Sequence, residues 1–149
     1  PNQIYAVSLP FTMLSKEREA KIVAFVKKYL YIGCGLRSLT SDHADYHGIY
    51  CGSLPKRDAA YHQGTAWGFL LGGFLSAYAK VHDHSPECTK ELLSLLEPVR
   101  HHLTDNGCIG SISEIFDGDA PHNPRGCYAQ AWSVGETLRA YMQDVLPYM

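Results

Sequence analysis

The sequence predicts an all-α fold that forms part of an α/α toroid, a ring of helical hairpins. Segments of helical apolar periodicity alternate between helices with one polar face and helices that are apolar all round. Gln3, Gln63 and Gln130 stand at the starts of the three apolar segments, 60 and 67 residues apart. Each long loop leaves a polar-faced helix and enters an apolar one, so the loops should gather at one mouth. This repeated arrangement of inner and outer helices is typical of a helical toroid.

The first unit begins with a short apolar stretch, residues 2–11, which Pro10 stops. An amphipathic helix follows Ser15, a preferred N-cap residue, with Glu17 and Glu19 in the first turn where the helix dipole favours acids. Apolar residues then recur every three or four positions until Gly33 ends the helix. Residues 33–62 lose this period and are rich in turn residues, which predicts a long loop.

The second unit contains an apolar helix over residues 63–81, with almost no polar face. Three glycines lie within it, Gly68, Gly72 and Gly73. Each costs roughly 1 kcal/mol relative to alanine, so together they predict close approach of a neighbouring backbone. Ser85 and Pro86 start a second amphipathic helix, in which Pro98 should produce a kink. Its inward stripe is Leu92, Leu95, Leu96, Val99 and Leu103.

Residues 107–132 form a second long loop, before a last apolar helix over about residues 128–146. This loop carries the carboxylates Glu114, Asp117 and Asp119. Loops longer than roughly 12–15 residues are uncommon in compact domains unless they are functional or disordered. Its apolar anchors, among them Ile112 and Phe116, argue against disorder. The pattern therefore predicts a functional loop.

The length of 149 residues suits one domain, whereas a closed six-hairpin ring with this repeat needs roughly 400 residues. With a repeat of this length, the chain contains about two and a half hairpins. We therefore expect the chain to be a fragment of a larger ring, or a subunit that another chain completes.

Composition and charge exclude several classes of partner. The net charge of -2 gives no basic footprint for nucleic acid, and no apolar run approaches the roughly 20 residues of a membrane span. Five cysteines without a C-x-x-C pair predict buried, reduced thiols in a cytoplasmic protein. The histidines lack the spacing of a zinc site, so we expect no metal and no other cofactor.

Six motifs together resemble one enzyme family over essentially the whole chain. They are PNQIYAVSLP at 1–10, GLRSL at 35–39, YHG at 46–48, RDAAYHQGTAW at 57–67, GSISEIFDGD at 110–119 and QAWS at 130–133. In this order and with these loop lengths, the chain closely resembles the carboxy-terminal part of glycogen debranching enzymes. More narrowly, it resembles their amylo-α-1,6-glucosidase domain of the bacterial and archaeal type.

The resemblance implies an (α/α)6 barrel that hydrolyses, with inversion, the α-1,6-linked glucose left at a trimmed branch point. Residues 1–149 would then be a carboxy-terminal fragment of that single domain, about its last two and a half hairpins. Glu114, in the SEIFDG motif, corresponds to the family's general base, and its alternative is a solvated loop carboxylate. The family's general acid lies in an upstream Trp-Gly-Arg-Asp motif, which this sequence lacks. Because inversion needs two carboxyl groups, the isolated chain is expected to be inactive.

Six further residues are candidates for sugar binding: Tyr46, His62, Gln63, Trp67, Gln130 and Trp132. The two tryptophans offer flat apolar faces to sugar rings, and core packing is their alternative. The two glutamines either bind sugar hydroxyls or cap buried helices. Tyr46 and His62 are candidate hydroxyl contacts.

The remaining charged residues of the loops favour structural roles. Asp117 and Asp119 are expected to shape the turn through side chain to backbone hydrogen bonds, with sugar contact as the alternative for each. Arg37 is expected to pair with a loop carboxylate such as Asp42 or Asp58.

Two functions from different classes remain open. In the first, the chain is part of a glucosidase, bound to α-glucan and completed by the remainder of the domain or by self-association. In the second, it is a non-catalytic α-glucan-binding module. A Trp-Gly-Arg-Asp segment elsewhere in the same gene, or on a copurifying chain, would favour the first.

Overall fold

A computed structural model describes residues 1–149 as a set of packed helices with a small sheet. The α-helices are α1 (Tyr5–Ser8), α2 (Lys16–Tyr29), α3 (Leu54–Tyr61), α4 (Leu70–Val81), α5 (Pro86–Asp105) and α6 (Ala131–Ala140). The strands are β1 (Leu36–Arg37), β2 (Ala66–Trp67), β3 (Ile115–Phe116) and β4 (Pro124–Arg125). A 3₁₀ turn, Asn2–Ile4, precedes α1, and a π-helical turn, Tyr141–Val145, extends α6 towards a last 3₁₀ turn, Leu146–Tyr148. The predicted all-α class is confirmed, and the short strands are an addition to it.

Helix α4 is the centre of the core. All of residues 70–79 are buried, and the helix packs against α1, α2, α5 and α6. A Cβ atom on Gly72 would lie 2.5 Å from the carbonyl oxygen of Glu136 in α6, and one on Gly73 would lie 2.9 Å from the Tyr5 ring in α1. Only residues without a Cβ fit at these distances. The predicted close approach at the glycines is therefore confirmed.

Helices α2 and α5 each turn one apolar stripe towards the core. The buried apolar residues of these stripes are Val23, Val26, Cys88, Leu92, Leu95 and Val99. Ser15 Oγ accepts a hydrogen bond from Arg18 N–H at 3.4 Å, and Ser85 Oγ accepts one from Cys88 N–H at 3.2 Å. Each serine thereby satisfies a backbone donor that the first turn of a helix leaves unpaired. Both predicted helix starts are confirmed, and α5 continues through Pro98.

Several predicted boundaries are wrong. Helix α4 begins at Leu70 rather than at Gln63, because a turn at Gly64, whose φ is +146°, and strand β2 come first. The predicted loop 33–62 contains β1 and α3. Helix α3 starts after Ser53 and buries only Ala60, so it shows too little apolar periodicity to be recognised. The last helix begins at residue 131 and changes to a π-helical turn after residue 140.

The four strands form one antiparallel sheet in the order β1-β2-β3-β4. Leu36 lies opposite Trp67, Trp67 opposite Ile115, and Ile115 opposite Arg125. Strands β1 and β2 belong to the first loop region, and β3 and β4 belong to the second. The sheet therefore fastens the two long loops to each other, which confirms that they gather at one mouth.

The cysteines are all free thiols, as predicted, but their predicted burial is wrong for most of them. Cys88 is buried, whereas Cys51 and Cys127 are exposed. No group of three or more His, Cys, Asp or Glu side chains is arranged to hold a metal ion. None of the helices combines the length and the apolar composition needed to cross a membrane.

Candidate active site

The backbone of Glu114 is hydrogen-bonded to two other segments at the mouth. Its N–H donates to the carbonyl oxygen of Cys127 at 2.8 Å, and its own carbonyl oxygen accepts from Gly68 N–H at 3.2 Å. The preceding residue, Ser113, donates its N–H to Nε2 of the buried His102 in α5 at 3.3 Å. Burial lowers the pKa of His102, which favours the neutral ring that can accept this bond. These contacts fix the position of the Glu114 backbone.

The carboxylate of Glu114 is partly exposed and is held at both oxygens. Oε1 accepts from the hydroxyl of Tyr61 at 2.5 Å, and Oε2 accepts from Cys127 N–H at 2.9 Å. The second contact requires Gly126, whose φ is +65° and at which a Cβ atom would lie 2.5 Å from Oε2. No cation pairs with this carboxylate, so its charge is oriented but not neutralised.

Tyr61 connects Glu114 to a group of aromatic rings. Its ring centroid lies 4.6 Å from that of Trp67 and 4.9 Å from that of His62. The His62 and Trp67 rings are stacked at 5.1 Å with an interplanar angle of 7°. Burial, followed by the hydrogen bond to Glu114, raises the pKa of the Tyr61 hydroxyl. Tyr61 therefore remains a hydrogen-bond donor at neutral pH.

A cleft of about 300 Å³ opens beside these rings. It is lined by Pro1, Asn2, Ser38, His62, Trp67, Phe69, Leu70 and Trp132. Trp67 is only 6% exposed and donates its Nε1–H to the carbonyl oxygen of Tyr61 at 3.0 Å, so most of its ring belongs to the core. Trp132 is 45% exposed and stacks on Phe69 at 4.3 Å. The cleft thus has one aromatic wall fixed in the core and one open aromatic face.

Asp117 has a different environment from Glu114. It is 0% exposed, and Arg125 donates Nε–H to Oδ2 at 3.0 Å and an Nη2–H to the same oxygen at 2.9 Å. Oδ1 accepts from Tyr50 N–H at 2.8 Å. The hydrogen bond that Arg125 donates to Asp117 raises the pKa of the Arg125 guanidinium. These contacts leave no surface of Asp117 for a sugar and favour the expected structural role over the alternative of sugar contact.

The family model described as amylo-alpha-1,6-glucosidase matches residues 1–139. The chain belongs to the amylo-alpha-1,6-glucosidase family. It is therefore related to glycoside hydrolases, enzymes that usually act with a pair of carboxyl groups.

In this member of the family, Tyr46 and Asp119 form a second pair of tyrosine and carboxylate. The Tyr46 hydroxyl donates to Asp119 Oδ1 at 2.9 Å. Burial, followed by this bond to Asp119, raises the pKa of Tyr46 to about 12. Arg37 does not pair with Asp42 or Asp58 as predicted: it donates Nε–H to the carbonyl oxygen of Gly118 at 2.8 Å and Nη1–H to that of Tyr29 at 3.2 Å. The acceptors of Arg37 are thus the carbonyl oxygens of a loop residue and of the last residue of α2, rather than carboxylates.

The two glutamines stand at the mouth without capping a helix through their side chains. Gln63 is exposed and lies before β2, so it is not at a helix start. Gln130 occupies the N-cap position of α6, but its side chain makes no capping hydrogen bond. Both side chains remain available for other contacts.

Sequence reasoning missed three residues that shape this site: Tyr61, Gly126 and Arg125. Tyr61 lies inside the RDAAYHQGTAW motif, in which the sequence predicts His62, Gln63 and Trp67 as site residues. Tyr61 ends a helix that apolar periodicity does not reveal, so no periodic signal marks it as a site residue. The contacts of Gly126 and Arg125 depend on how the loop closes on itself.

Proposed function

We propose that this chain supplies the general base of an inverting glucosidase that releases α-1,6-linked glucose from branch points of glycogen or limit dextrin. The observation that carries the proposal is the state of Glu114. Its carboxylate is partly exposed, is oriented by two neutral donors and is joined through Tyr61 to an aromatic cleft. The family to which the chain belongs supports the substrate class.

The chemistry assigns one role to Glu114. In an inverting hydrolysis, the base accepts a proton from water while the water oxygen bonds to the anomeric carbon. The bond from that carbon to the glycosidic oxygen breaks, and a general acid protonates the departing oxygen. A carboxylate has about four lone-pair sites, and Tyr61 and Cys127 use two of those on Glu114. The others can accept the proton of the attacking water.

Sugar recognition in this proposal uses the open side of the mouth. The exposed face of Trp132 would stack on a glucose ring, and Trp67 with His62 would form the adjoining wall, since the Trp67 and Trp132 rings meet edge to face at 6.1 Å. Gln63, Gln130 and Tyr46 would bind hydroxyl groups around the rim. Asp117 takes no part, because its carboxylate is buried and paired.

The second carboxylate has to come from elsewhere, and we propose that the remainder of a helical ring supplies it. Helices α2 and α5 both pack on α4 and are linked by Lys27 Nζ donating to Glu91 Oε1 at 2.7 Å. A further outer helix would occupy the corresponding place beside α5 and over α6. An apolar groove of about 520 Å³ lies there, lined mainly by Leu93, Leu96, Val99, Leu103, Ile112, Val134, Leu138 and Tyr141.

The isolated chain tests this part of the proposal. Without a partner for the groove, apolar side chains such as Leu138, which is 56% exposed, should drive self-association. We expect light scattering to show a species larger than a monomer, and a limit-dextrin assay to show no release of glucose. A stable monomer that releases glucose would contradict both expectations.

The product anomer tests the reaction itself. The complete enzyme that contains this chain should release glucose from an α-1,6-branched limit dextrin, and proton NMR during the first minutes should show the β-anomer. Release of the α-anomer would exclude inversion. Binding without glucose release would favour the second candidate function, a non-catalytic α-glucan-binding module. One observation supports that candidate: no carboxylate is among the residues that line the cleft of about 300 Å³.

A further inference from the structure

We propose that Tyr61 is the positioning residue of the base: its hydroxyl holds one oxygen of Glu114 so that the free lone pairs of the carboxylate face the attacking water. This inference rests on the proposed role of Glu114. Tyr61 acts through Glu114 and needs no contact with the sugar.

The two-point attachment of the carboxylate supports this role. The Cys127 N–H fixes Oε2 but leaves the carboxyl group free to tilt about that contact. The Tyr61 hydroxyl, bonded to Oε1 at 2.5 Å, removes this freedom. That distance is typical of an O–H donor bound to an ionised carboxylate, which is stronger than a bond between neutral groups.

Tyr61 is itself held on three sides, so it can transmit a fixed position. It is the last residue of α3, and its carbonyl oxygen accepts from Trp67 Nε1–H at 3.0 Å. Its ring packs against Trp67 at 4.6 Å and against Tyr50 at 5.5 Å. A donor held this firmly loses little further conformational entropy when it binds Glu114.

The chemistry of the donor also suits a base. An arginine in this position would neutralise the carboxylate, as Arg125 does for Asp117. Tyr61 is uncharged and keeps its proton, because burial and the neighbouring carboxylate raise its pKa. Glu114 is therefore oriented while it keeps its negative charge and its capacity to accept a proton.

The first experiment compares Tyr61→Phe with Tyr31→Phe in the complete enzyme. Tyr31 is a matched control, because its hydroxyl donates to the carbonyl oxygen of Leu95 in α5 at 2.7 Å and not to Glu114. Tyr61→Phe should lower kcat by about tenfold with KM within about twofold, on the strength of a hydrogen bond to a charged group. Tyr31→Phe should leave kcat unchanged, and it should lower Tm by about as much as Tyr61→Phe does. Equal kcat in the two variants would overturn the proposal.

A double variant separates positioning from a general structural effect. In a Glu114→Gln background, Tyr61→Phe should change the residual kcat by less than about twofold, because its action requires the carboxylate. A further tenfold loss would show that Tyr61 acts independently of Glu114 and would overturn the proposal. So would a loss of kcat in Tyr61→Phe that only follows the loss of folded protein.

An NMR measurement tests the positioning without catalysis. The amide of Cys127 can be observed in ¹⁵N-cysteine-labelled enzyme and assigned with Cys127→Ser. Tyr61→Phe should move this resonance more than Tyr31→Phe does, because its acceptor on Glu114 becomes free to tilt. If the enzyme releases no glucose from α-1,6-linked substrates, the proposed function fails, and the Cys127 resonance then decides whether Tyr61 positions the Glu114 carboxylate. A displaced signal supports this positioning, and an unchanged signal overturns it.

Discussion

Glu114 and Asp117 stand at the two ends of strand β3, yet their surroundings are opposite. Glu114 is partly exposed and receives hydrogen bonds from two uncharged donors, Tyr61 and the Cys127 amide. Asp117 is fully buried and is paired with the guanidinium of Arg125. A carboxylate that is neutralised in the interior stabilises a loop, whereas one that keeps its charge at the surface of a cleft can accept a proton. Environment, rather than residue type, distinguishes the structural role of Asp117 from the base role proposed for Glu114.

The largest expected effect tests the chemical side of this comparison. Glu114→Gln in the complete enzyme should lower kcat by at least about a hundredfold, because general-base catalysis typically contributes about 10²–10⁴-fold. Glucan affinity measured by calorimetry should be almost unchanged, since the amide keeps the size of the side chain. Glu17→Gln, at an exposed glutamate of α2 that pairs with Lys21, is the control and should leave kcat as it is. Full activity in Glu114→Gln would remove this residue from the mechanism.

The next effect concerns the aromatic wall beside Glu114. Trp67→Ala should lower the free energy of unfolding by about 3–5 kcal/mol, because truncation of a buried tryptophan leaves a large cavity. Trp67 is 6% exposed and lies opposite Ile115 in the sheet, so the loss should also loosen the Glu114 end of β3. Urea denaturation measures the change. An unchanged Tm would mean that the ring serves only as a sugar platform.

Asp117→Asn should show the reverse of the Glu114 pattern. It removes the partner of Arg125 but keeps an acceptor for Tyr50 N–H, so we expect a loss of about 2 kcal/mol of stability. This loss of stability is smaller than the usual loss on breaking a buried ion pair, because Arg125 is 35% exposed and can be solvated. Activity per folded molecule should stay within about twofold of wild type. A stable variant with a hundredfold lower kcat would break the comparison, because Asp117 would then belong to the chemistry.

The smallest effect separates the two tryptophans of the cleft. Trp132→Ala should cost less than about 1 kcal/mol of stability, because the ring is 45% exposed and has lost less water on folding than a core residue. Glucan affinity should fall about fivefold, which corresponds to an aromatic contact of about 1 kcal/mol. Titration calorimetry with a limit dextrin measures this. Unchanged affinity would assign the exposed face of Trp132 to another contact.

The sequence by itself determined the helical framework. Apolar residues repeated over many positions identify α2, α4 and α5, and the serines at 15 and 85 mark two of the helix starts. Glycines inside an apolar helix predicted the close packing at Gly72 and Gly73. The SEIFDG motif singled out Glu114 through its resemblance to a family that the chain proves to belong to. These signals are local, so they can be recognised without a fold.

Only the tertiary structure decided what surrounds Glu114. Strands of two residues have no period to detect, yet β2 and β3 place Trp67 opposite Ile115. Helix α3 buries a single residue, so its end at Tyr61, and the hydrogen bond from Tyr61 to Glu114, could not be predicted. Arg125, rather than Arg37, pairs with a loop carboxylate because the second loop folds back on itself through β4. Contacts between segments far apart in sequence depend on how the loops close at the mouth, and that closure has no signature in the order of the residues.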